Sequence, residues 1–336
     1  MQPLQGADHT DVSREFNGLV QQKAPNESQI KVFVEKFGND ALPVLTKQAV
    51  DTSNVPRSRI ALRALAAVGT PEAVTALSVV IEKQPTTAAV LALADAADPS
   101  AVQPLRRLAL AAGPARQRIP AVVALRWRGS LQDASKLMQA AEQTRSREVR
   151  LHLRTAAAAI QKRTQQLPEG ITAVQWNQLQ RRFWHTVLQP PQSRSVEVGY
   201  RYAAKMLVSQ GEVPAVFLNS IDAREPLSAQ LVAIQALGFQ KEAGQAQQFY
   251  TLASSSRILG RAALLALLDI GDQQAVTLTG RLLVQDGFSW PSQAIEGLVN
   301  IGTEQAARIL ETAAGQIIDE DLAAYCRRAA ARIKKP

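Results

Sequence analysis

The sequence has few of the residues that most often carry chemistry or covalent cross-links. Its 336 residues include one cysteine, Cys326, and three histidines, and aromatic residues make up only 5 % of the chain. A single thiol cannot form an internal disulfide or a cysteine-based zinc cluster, because both need several thiols. His9, His152 and His185 are far apart in the sequence, and none has a metal-ligand spacing such as HExxH. The sequence therefore indicates no resident metal and no cofactor.

Catalytic motifs and long apolar runs are missing as well. We find no GxGxxG after a strand pattern, no GxxxxGK(S/T) loop and no GxSxG elbow. We therefore identify no catalytic residue and expect a protein that is not an enzyme. No run of 18 or more apolar residues occurs, and the segment from Met1 to Asp11 lacks the basic and apolar blocks of a signal peptide. We expect a cytoplasmic protein, with a periplasmic protein whose leader has been removed as the alternative.

What the sequence does contain is alanine, leucine and a recurring turn. A glycine or aspartate recurs, and an alanine that opens a new apolar stretch follows it three to five residues later. The pairs are Gly38 and Ala41, Gly69 and Ala73, Asp98 and Ala101, Gly129 and Ala134, Gly211 and Ala215, Gly238 and Ala243, Gly271 and Ala275, and Gly302 and Ala306. Such a period of about 30 residues is typical of stacked helical repeats.

The residues around each turn explain why a helix ends and another begins there. Before the turn, apolar residues recur at helical spacing, as in Ile60, Ala64 and Val68. The glycine supplies a positive φ that ends a helix at no steric cost. The sites where the next helix starts include prolines, which lack the N–H that would be unsatisfied there: Pro71, Pro99 and Pro214. The sequence thus predicts helix–turn–helix units that bury their apolar faces by stacking.

Two segments carry a resemblance to a known family. Arg57 to Leu77 (RSRIALRALAAVGTPEAVTAL) and Arg257 to Leu278 (RILGRAALLALLDIGDQQAVTL) resemble the short HEAT repeats of bacterial proteins, including the phycobilisome-lyase type. The likeness extends from about residue 28 to about residue 330, apart from a central interruption. It implies an all-α, HEAT-like α-solenoid, an α/α superhelix of about eight to nine helix pairs. In that family an arginine near the start of the first helix ties adjacent repeats together; the matching positions are Arg59, Arg118, Arg150 and Arg261.

The repeat is interrupted between residues 165 and 195. Breaker residues bound this insertion, and between them one amphipathic helix is predicted with an apolar stripe: Trp176, Leu179, Phe183 and Val187. We therefore divide the chain into an N-terminal tail or capping helix (1–25), N-terminal repeats (26–164), the insertion (165–195), and C-terminal repeats with a capping helix (196–336). The inserted helix is either packing between the two sets of repeats or a lever whose aromatic and arginine side chains contact a partner.

Positive charge is concentrated in the middle of the chain. From Ala115 to Lys205 there are 16 Lys and Arg against 5 Asp and Glu, whereas the remaining chain has 22 against 24. Arg147, Arg150 and Arg154 recur at helical spacing and form a basic stripe, which is either a solvated face or a site for carboxylates or phosphates. The candidate binding residues are Arg147, Arg150, Arg154, Trp176, Arg181, Arg182 and Trp184.

Three functions remain open from the sequence. The first is a non-enzymatic scaffold or adaptor that binds a protein with an acidic surface through the solenoid and its central basic region. The second is nucleic-acid binding like that of HEAT-like DNA glycosylases, because Trp127, Trp176 and Trp184 are interleaved with the basic residues. The third, which the resemblance alone implies, is a cofactor lyase or chaperone subunit.

Overall fold

The computed structural model describes residues 9–22, 25–163, 167–193, 195–222 and 224–334. Throughout these ranges the chain forms helices joined by turns, and they contain no β-strand. The residues fall into two compact units, Met1–Asn177 and Gln178–Pro336, and the division lies inside one helix. The prediction of an all-α, HEAT-like solenoid is confirmed by the way helices stack within each unit.

Unit 1 contains ten helices over its described residues and the start of an eleventh. They are α1 (His9–Gln21), α2 (Glu27–Phe37), α3 (Leu42–Val50), α4 (Val55–Val68), α5 (Pro71–Lys83), α6 (Thr87–Asp95), α7 (Val102–Leu110), α8 (Ala115–Arg128), α9 (Leu131–Gln143), α10 (Arg147–Lys162) and α11 (Ala173–Leu188). Helices α2, α4, α6, α8 and α10 each contact the next member of their own series, and we call this series layer A. Helices α3, α5, α7 and α9 form layer B, in which α3 contacts α5 and α7 contacts α9.

Unit 2 repeats this arrangement after the end of α11. Its helices are α12 (Val196–Ser209), α13 (Pro214–Ser220), α14 (Leu227–Phe239), α15 (Ala246–Ser255), α16 (Gly260–Ile270), α17 (Gln273–Leu283), α18 (Pro291–Ile301), α19 (Glu304–Ala314) and α20 (Glu320–Lys334). Its layer A is α12, α14, α16, α18 and α20, and its layer B contains α15, α17 and α19, with α13 paired to α14. Counted over the described residues, four helix pairs lie in each unit, in agreement with the predicted number.

The two layers differ in how deeply they are buried. In α8 every residue from Arg118 to Trp127 is buried, and in α14 every residue from Val232 to Gly238 is buried. The layer B helix α7 buries only Leu105 and Ala109. A layer A helix has neighbours on both sides as well as behind it, which explains why its sequence is apolar or small around most of its circumference.

The predicted turns are confirmed at most positions. A positive φ ends the preceding helix at Gly38, Gly69, Gly211, Gly271 and Gly302. Two of the seven glycines in the series behave differently. Gly129 follows α8 with a φ of −72°. Gly238 lies inside α14, and the residue with a positive φ after that helix is Lys241. Gly238 serves close packing, because a Cβ there would lie 2.6 Å from the Cα of Ala266 in α16.

Arginines tie adjacent repeats as the resemblance implies, at two of the four expected positions. Arg118 donates from Nε and Nη2 to the Ala109 carbonyl and from Nη1 to the Thr144 hydroxyl, all at 3.2 Å, and so connects α7 with the end of α9. Arg150 donates to the Thr144 carbonyl. In α4 the bonds to the end of α3 come from Arg57, which donates to the Gln48 side chain, and from Ser58, which donates to the Ala49 carbonyl at 2.7 Å. The role of Arg59 stays a prediction.

The fourth expected arginine has a different contact. Arg261 of α16 forms an ion pair of 2.6 Å with Glu197 of α12. The bond therefore joins two layer A helices that are separated by α14, which no spacing argument anticipates.

The predicted insertion contains α11, and α1 lies within the predicted N-terminal tail or cap. Residues 1–8, 23 and 24 of that segment, and residues 165, 166 and 194 of the insertion, lie outside the described residues. The domain boundaries stay a prediction.

Candidate functional site

The charged residues of unit 1 are distributed unequally between its layers. In layer A, the four helices after α2 (α4, α6, α8 and α10) carry 11 Lys and Arg against two acids, Asp95 and Glu148, whereas α2 carries two lysines and two glutamates. The layer B helices α3, α5, α7 and α9 carry 5 Lys and Arg against 4 acids. Half of the 16 cations between Ala115 and Lys205 lie on the layer A helices α8 and α10, and α4 adds three more outside that segment.

Part of this charge faces solvent. We call the exposed arginines of these layer A helices the arginine face: Arg59, Arg63, Arg116, Arg147 and Arg154. Arg63 also donates to the carbonyl of Pro25 at 3.1 Å. Within the described part of the chain no carboxylate forms an ion pair with Arg147 or Arg154. Guanidinium groups in this state are available to carboxylates or phosphates, which they bind in a bidentate manner.

The predicted stripe on α10 separates into two kinds of residue. Arg147 and Arg154 are exposed, whereas Arg150 is half-buried and donates from Nη2 to the Thr144 carbonyl at 2.8 Å. Arg150 therefore holds the start of α10 against the end of α9. Arg147 and Arg154 are therefore both exposed on α10, whereas Arg150 contacts the end of the neighbouring helix.

Other basic residues of this region also act inside the fold. Arg128 donates to the Asp98 carbonyl at 2.7 Å, and Arg163 donates to the carbonyls of Arg126 and Gly129. His152 is buried, and burial, with the nearby charge of Arg126, lowers its pKa to about 4. His152 is therefore neutral at physiological pH and adds no charge to the arginine face.

The aromatic residues of α11 are buried. Trp176 is 8 % exposed, and Phe183 and Trp184 are each 0 % exposed. The Phe183 ring contacts the rings of Trp184 and of Phe217 in α13, with centroids 5.5 and 6.1 Å apart. Trp127 is also buried. Tryptophans placed in this way fill space in the fold and are not available to stack on bases at the surface.

The arginines of α11 lie at the edge of this packing. Arg181 is half-buried. The side chain of Arg182 is 47 % exposed, and its Nε lies 2.7 Å from a carboxylate oxygen of Glu212, whose side chain is 0 % exposed. Arg182 therefore neutralises a buried carboxylate of unit 2. Its place in a binding site stays a prediction.

A second surface, which the sequence did not reveal, lies on layer A of unit 2. Residues of α12, α14 and α16 line a shallow, open groove of about 60 Å³. Its apolar lining includes Val198, Leu231, Ile258 and Leu265. These residues are far apart in the sequence, and only the stacking of three layer A helices brings them together.

Ion pairs cross the layer A surface of unit 2. Glu197 pairs with Arg261 at 2.6 Å, and Arg201 donates to Asp269 at 2.9 Å while its guanidinium lies over the Phe239 ring. Further along the layer, Arg332 pairs with Glu296 at 3.0 Å. The layer A cations of unit 2 are thus largely neutralised, in contrast to those of the arginine face.

The comparisons with known proteins were made on sequence and on structure. No protein-family model matches the chain, and a comparison with curated proteins finds no match. Among solved structures, human deoxyhypusine hydroxylase in complex with glycerol is 16 % identical, with a TM-score of 0.39 over 88 % of this chain and 96 % of that one. An engineered protein is also 16 % identical, with a TM-score of 0.30 over 97 % of this chain and 99 % of that one. At these scores neither likeness bears on function.

Two absences are limited to the residues that the structure describes. Among them, no helix is both long and apolar enough to cross a membrane. No group of three or more His, Cys, Asp or Glu side chains in the described ranges is arranged to hold a metal ion.

Proposed function

We propose that this protein is a non-enzymatic scaffold that holds a partner protein with an acidic surface against layer A of unit 1. The observation that carries the proposal is the separation of charge between the layers, 11 cations against two acids on α4, α6, α8 and α10. Stacked helical repeats present long continuous surfaces, and binding through such a surface needs no catalytic group. Charge of one sign on that surface steers an oppositely charged partner and selects against others.

Within this surface, Arg147 and Arg154 are the residues we assign to partner binding. Both are exposed, lie two turns apart on α10, and have no carboxylate partner in the described chain. The other candidate residues would contribute to binding by positioning helices, since each is buried, half-buried or engaged in a contact within the fold: Arg150, Arg181, Arg182, Trp176 and Trp184.

The two alternative functions are outcomes of the same test. Nucleic-acid binding would use the same cations together with exposed aromatic side chains that stack on bases. Trp127, Trp176 and Trp184 are all buried, so they do not supply such side chains. A bacterial lyase-type role in handling a cofactor follows only from the resemblance of the repeats. We therefore keep the protein partner as the proposal.

The test compares three forms of the full chain coupled to a resin. These are the unaltered protein, a double variant of the arginine face, Arg147→Glu with Arg154→Glu, and a control double variant, Lys83→Glu with Arg107→Glu. The control residues are exposed on layer B of the same unit, so both variants change the net charge equally. Cell extract is passed over each resin with and without prior nuclease treatment, and the retained material is quantified by mass spectrometry.

We expect an acidic protein that the unaltered chain and the layer B control retain and that the arginine-face variant loses at least tenfold. Equal retention on all three resins would contradict the proposal. Material that is retained only before nuclease treatment would instead favour nucleic acid, and a retained absorbing small molecule would favour the lyase role.

A further inference from the structure

The groove of unit 2 lies where α12, α14 and α16 stack side by side. Two side-chain contacts from α12 reach α16 past α14, namely the 2.6 Å pair of Glu197 with Arg261 and the 2.9 Å pair of Arg201 with Asp269. Leu231 of α14 lines the groove together with residues of α12 and α16. The groove is too small to enclose a ligand, so it fits a partner that lies along the surface and places single apolar side chains against it.

Apolar side chains are exposed along this groove. Val198 of α12 is 42 % exposed, and Ile258, in the turn before α16, is 64 % exposed; both line the groove. Tyr202, one turn after Val198 on the same side of α12, is 57 % exposed and continues the apolar surface. Exposed apolar side chains that lie together beside polar groups are characteristic of interaction sites.

The charges around the groove indicate the chemistry of its partner. Glu197, which lines the groove, is paired with Arg261, and Arg201, which also lines it, is paired with Asp269. Two cations beside it remain: Arg257, next to Ile258, and Lys205, one turn after Arg201 on α12, are exposed and have no carboxylate partner among the described residues. The charge left for a partner is therefore positive.

From this combination we infer that the groove of α12, α14 and α16 binds a polypeptide segment in which apolar side chains are flanked by carboxylates. The apolar side chains cover Leu231 between Val198 and Ile258, and the carboxylates lie near Lys205 and Arg257. Buried apolar area would supply most of the affinity, and the charge pairs at the rim would set orientation and association rate. This site is separate from the arginine face and does not depend on it.

The probe for the test is a fluorescein-labelled helical peptide of leucine and glutamate, with the leucines on one face. One control peptide has serine in place of leucine, and another has lysine in place of glutamate. All measurements use the full chain that carries Arg147→Glu and Arg154→Glu, so that the two arginines assigned to partner binding do not contribute. Binding is followed by fluorescence anisotropy at physiological salt.

Two substitution sets give the decisive comparison. The groove variant, Val198→Ser with Ile258→Ser, removes exposed apolar groups of the groove. The control variant, Ile318→Ser, removes an isoleucine that is 92 % exposed in the turn between α19 and α20. Because all three side chains are substantially exposed, we expect each variant to fold, which circular dichroism checks.

We expect the leucine–glutamate peptide to bind, the groove variant to lose at least tenfold in affinity, and the Ile318 variant to stay within twofold. Arg257→Glu should also weaken binding of this peptide. Absence of binding, equal binding by the groove variant, or equal binding of the serine or lysine peptide would overturn the inference. None of these results would affect the proposed function, because Arg147 and Arg154, the residues it assigns to partner binding, are already replaced.

Discussion

The Nε atom of Arg182 lies 2.7 Å from a carboxylate oxygen of Glu212, and the Glu212 side chain is completely buried. Burial raises the pKa of Glu212 to about 7, and the positive charge of Arg182 offsets this only in part. The backbone N–H of Glu212 also bonds to Leu207 at the end of α12, and its carbonyl accepts a bond from Gln240. One residue therefore connects α11, the α12–α13 turn and the end of α14.

The raised pKa of Glu212 predicts how stability depends on pH. Because the folded-state value lies above the ordinary value of 4.5, this carboxyl contributes stability below about pH 4.5 and loses it as pH rises through about 7. Glu212→Gln is neutral at every pH, so its melting temperature relative to the unaltered protein should be higher at pH 8 than at pH 5. At pH 8 the substitution should raise the free energy of unfolding by at most about 3 kcal/mol.

The matching control is Arg182→Gln, which leaves the buried carboxylate without its counter-charge. It should destabilise the protein more at pH 8 than at pH 5, opposite to Glu212→Gln. Thermal unfolding at both pH values checks the pair. A Glu212→Gln effect of the same size at pH 5 and pH 8 would show that the carboxyl does not titrate in this range.

Glycine at position 238 is required by the close approach of α14 and α16. A Cβ at Gly238 would lie 2.6 Å from the Cα of Ala266, a backbone atom that cannot move without shifting the helix. Gly238→Ala should therefore destabilise the protein by about 1–3 kcal/mol, as overpacking does.

Gly18 provides the comparison for this substitution. It lies in α1 with no atom within 4 Å of its added Cβ, so Gly18→Ala should stabilise the protein by up to about 1 kcal/mol. Denaturant unfolding measures both. If Gly238→Ala stabilised the protein as well, the spacing of α14 and α16 would be wrong.

Arg118 should matter far more to stability than its neighbour Arg116. Arg118→Leu removes the donors to Ala109 and Thr144 and leaves a buried carbonyl without its partner, at a cost of about 1–3 kcal/mol. Arg116 is exposed at the start of the same helix, and Arg116→Leu should change stability by less than about 0.5 kcal/mol. Equal effects in thermal unfolding would argue against Arg118 as the tie between repeats.

The fold could be predicted from the sequence because its turns have local causes. Gly69 with Thr70 and Pro71 ends one helix and begins the next through its own backbone preferences, and the structure has the same turn. The stripe of α11 was also predictable, since Trp176 and Phe183 are buried at helical spacing. Gly238 was misassigned because close helix packing and a turn require the same residue type.

The candidate surfaces were only partly predictable. Arg147 and Arg154 follow from helical spacing, but Arg150 has the same spacing and is engaged by the Thr144 carbonyl, which a periodicity cannot show. The separation of charge between layers could have been found by counting charges on alternate helices. The groove could not, because Val198 and Ile258 meet only through the stacking of three repeats.

The most direct test of the account is arginine-specific chemical footprinting of the full chain with phenylglyoxal, with and without saturating poly-L-glutamate, quantified by mass spectrometry. Arg147 and Arg154 on layer A should be protected at least threefold, while Arg107, exposed on layer B of the same unit, should react equally in both samples. Protection of all three to the same extent, or of none, would contradict the assignment of acidic-partner binding to layer A of unit 1.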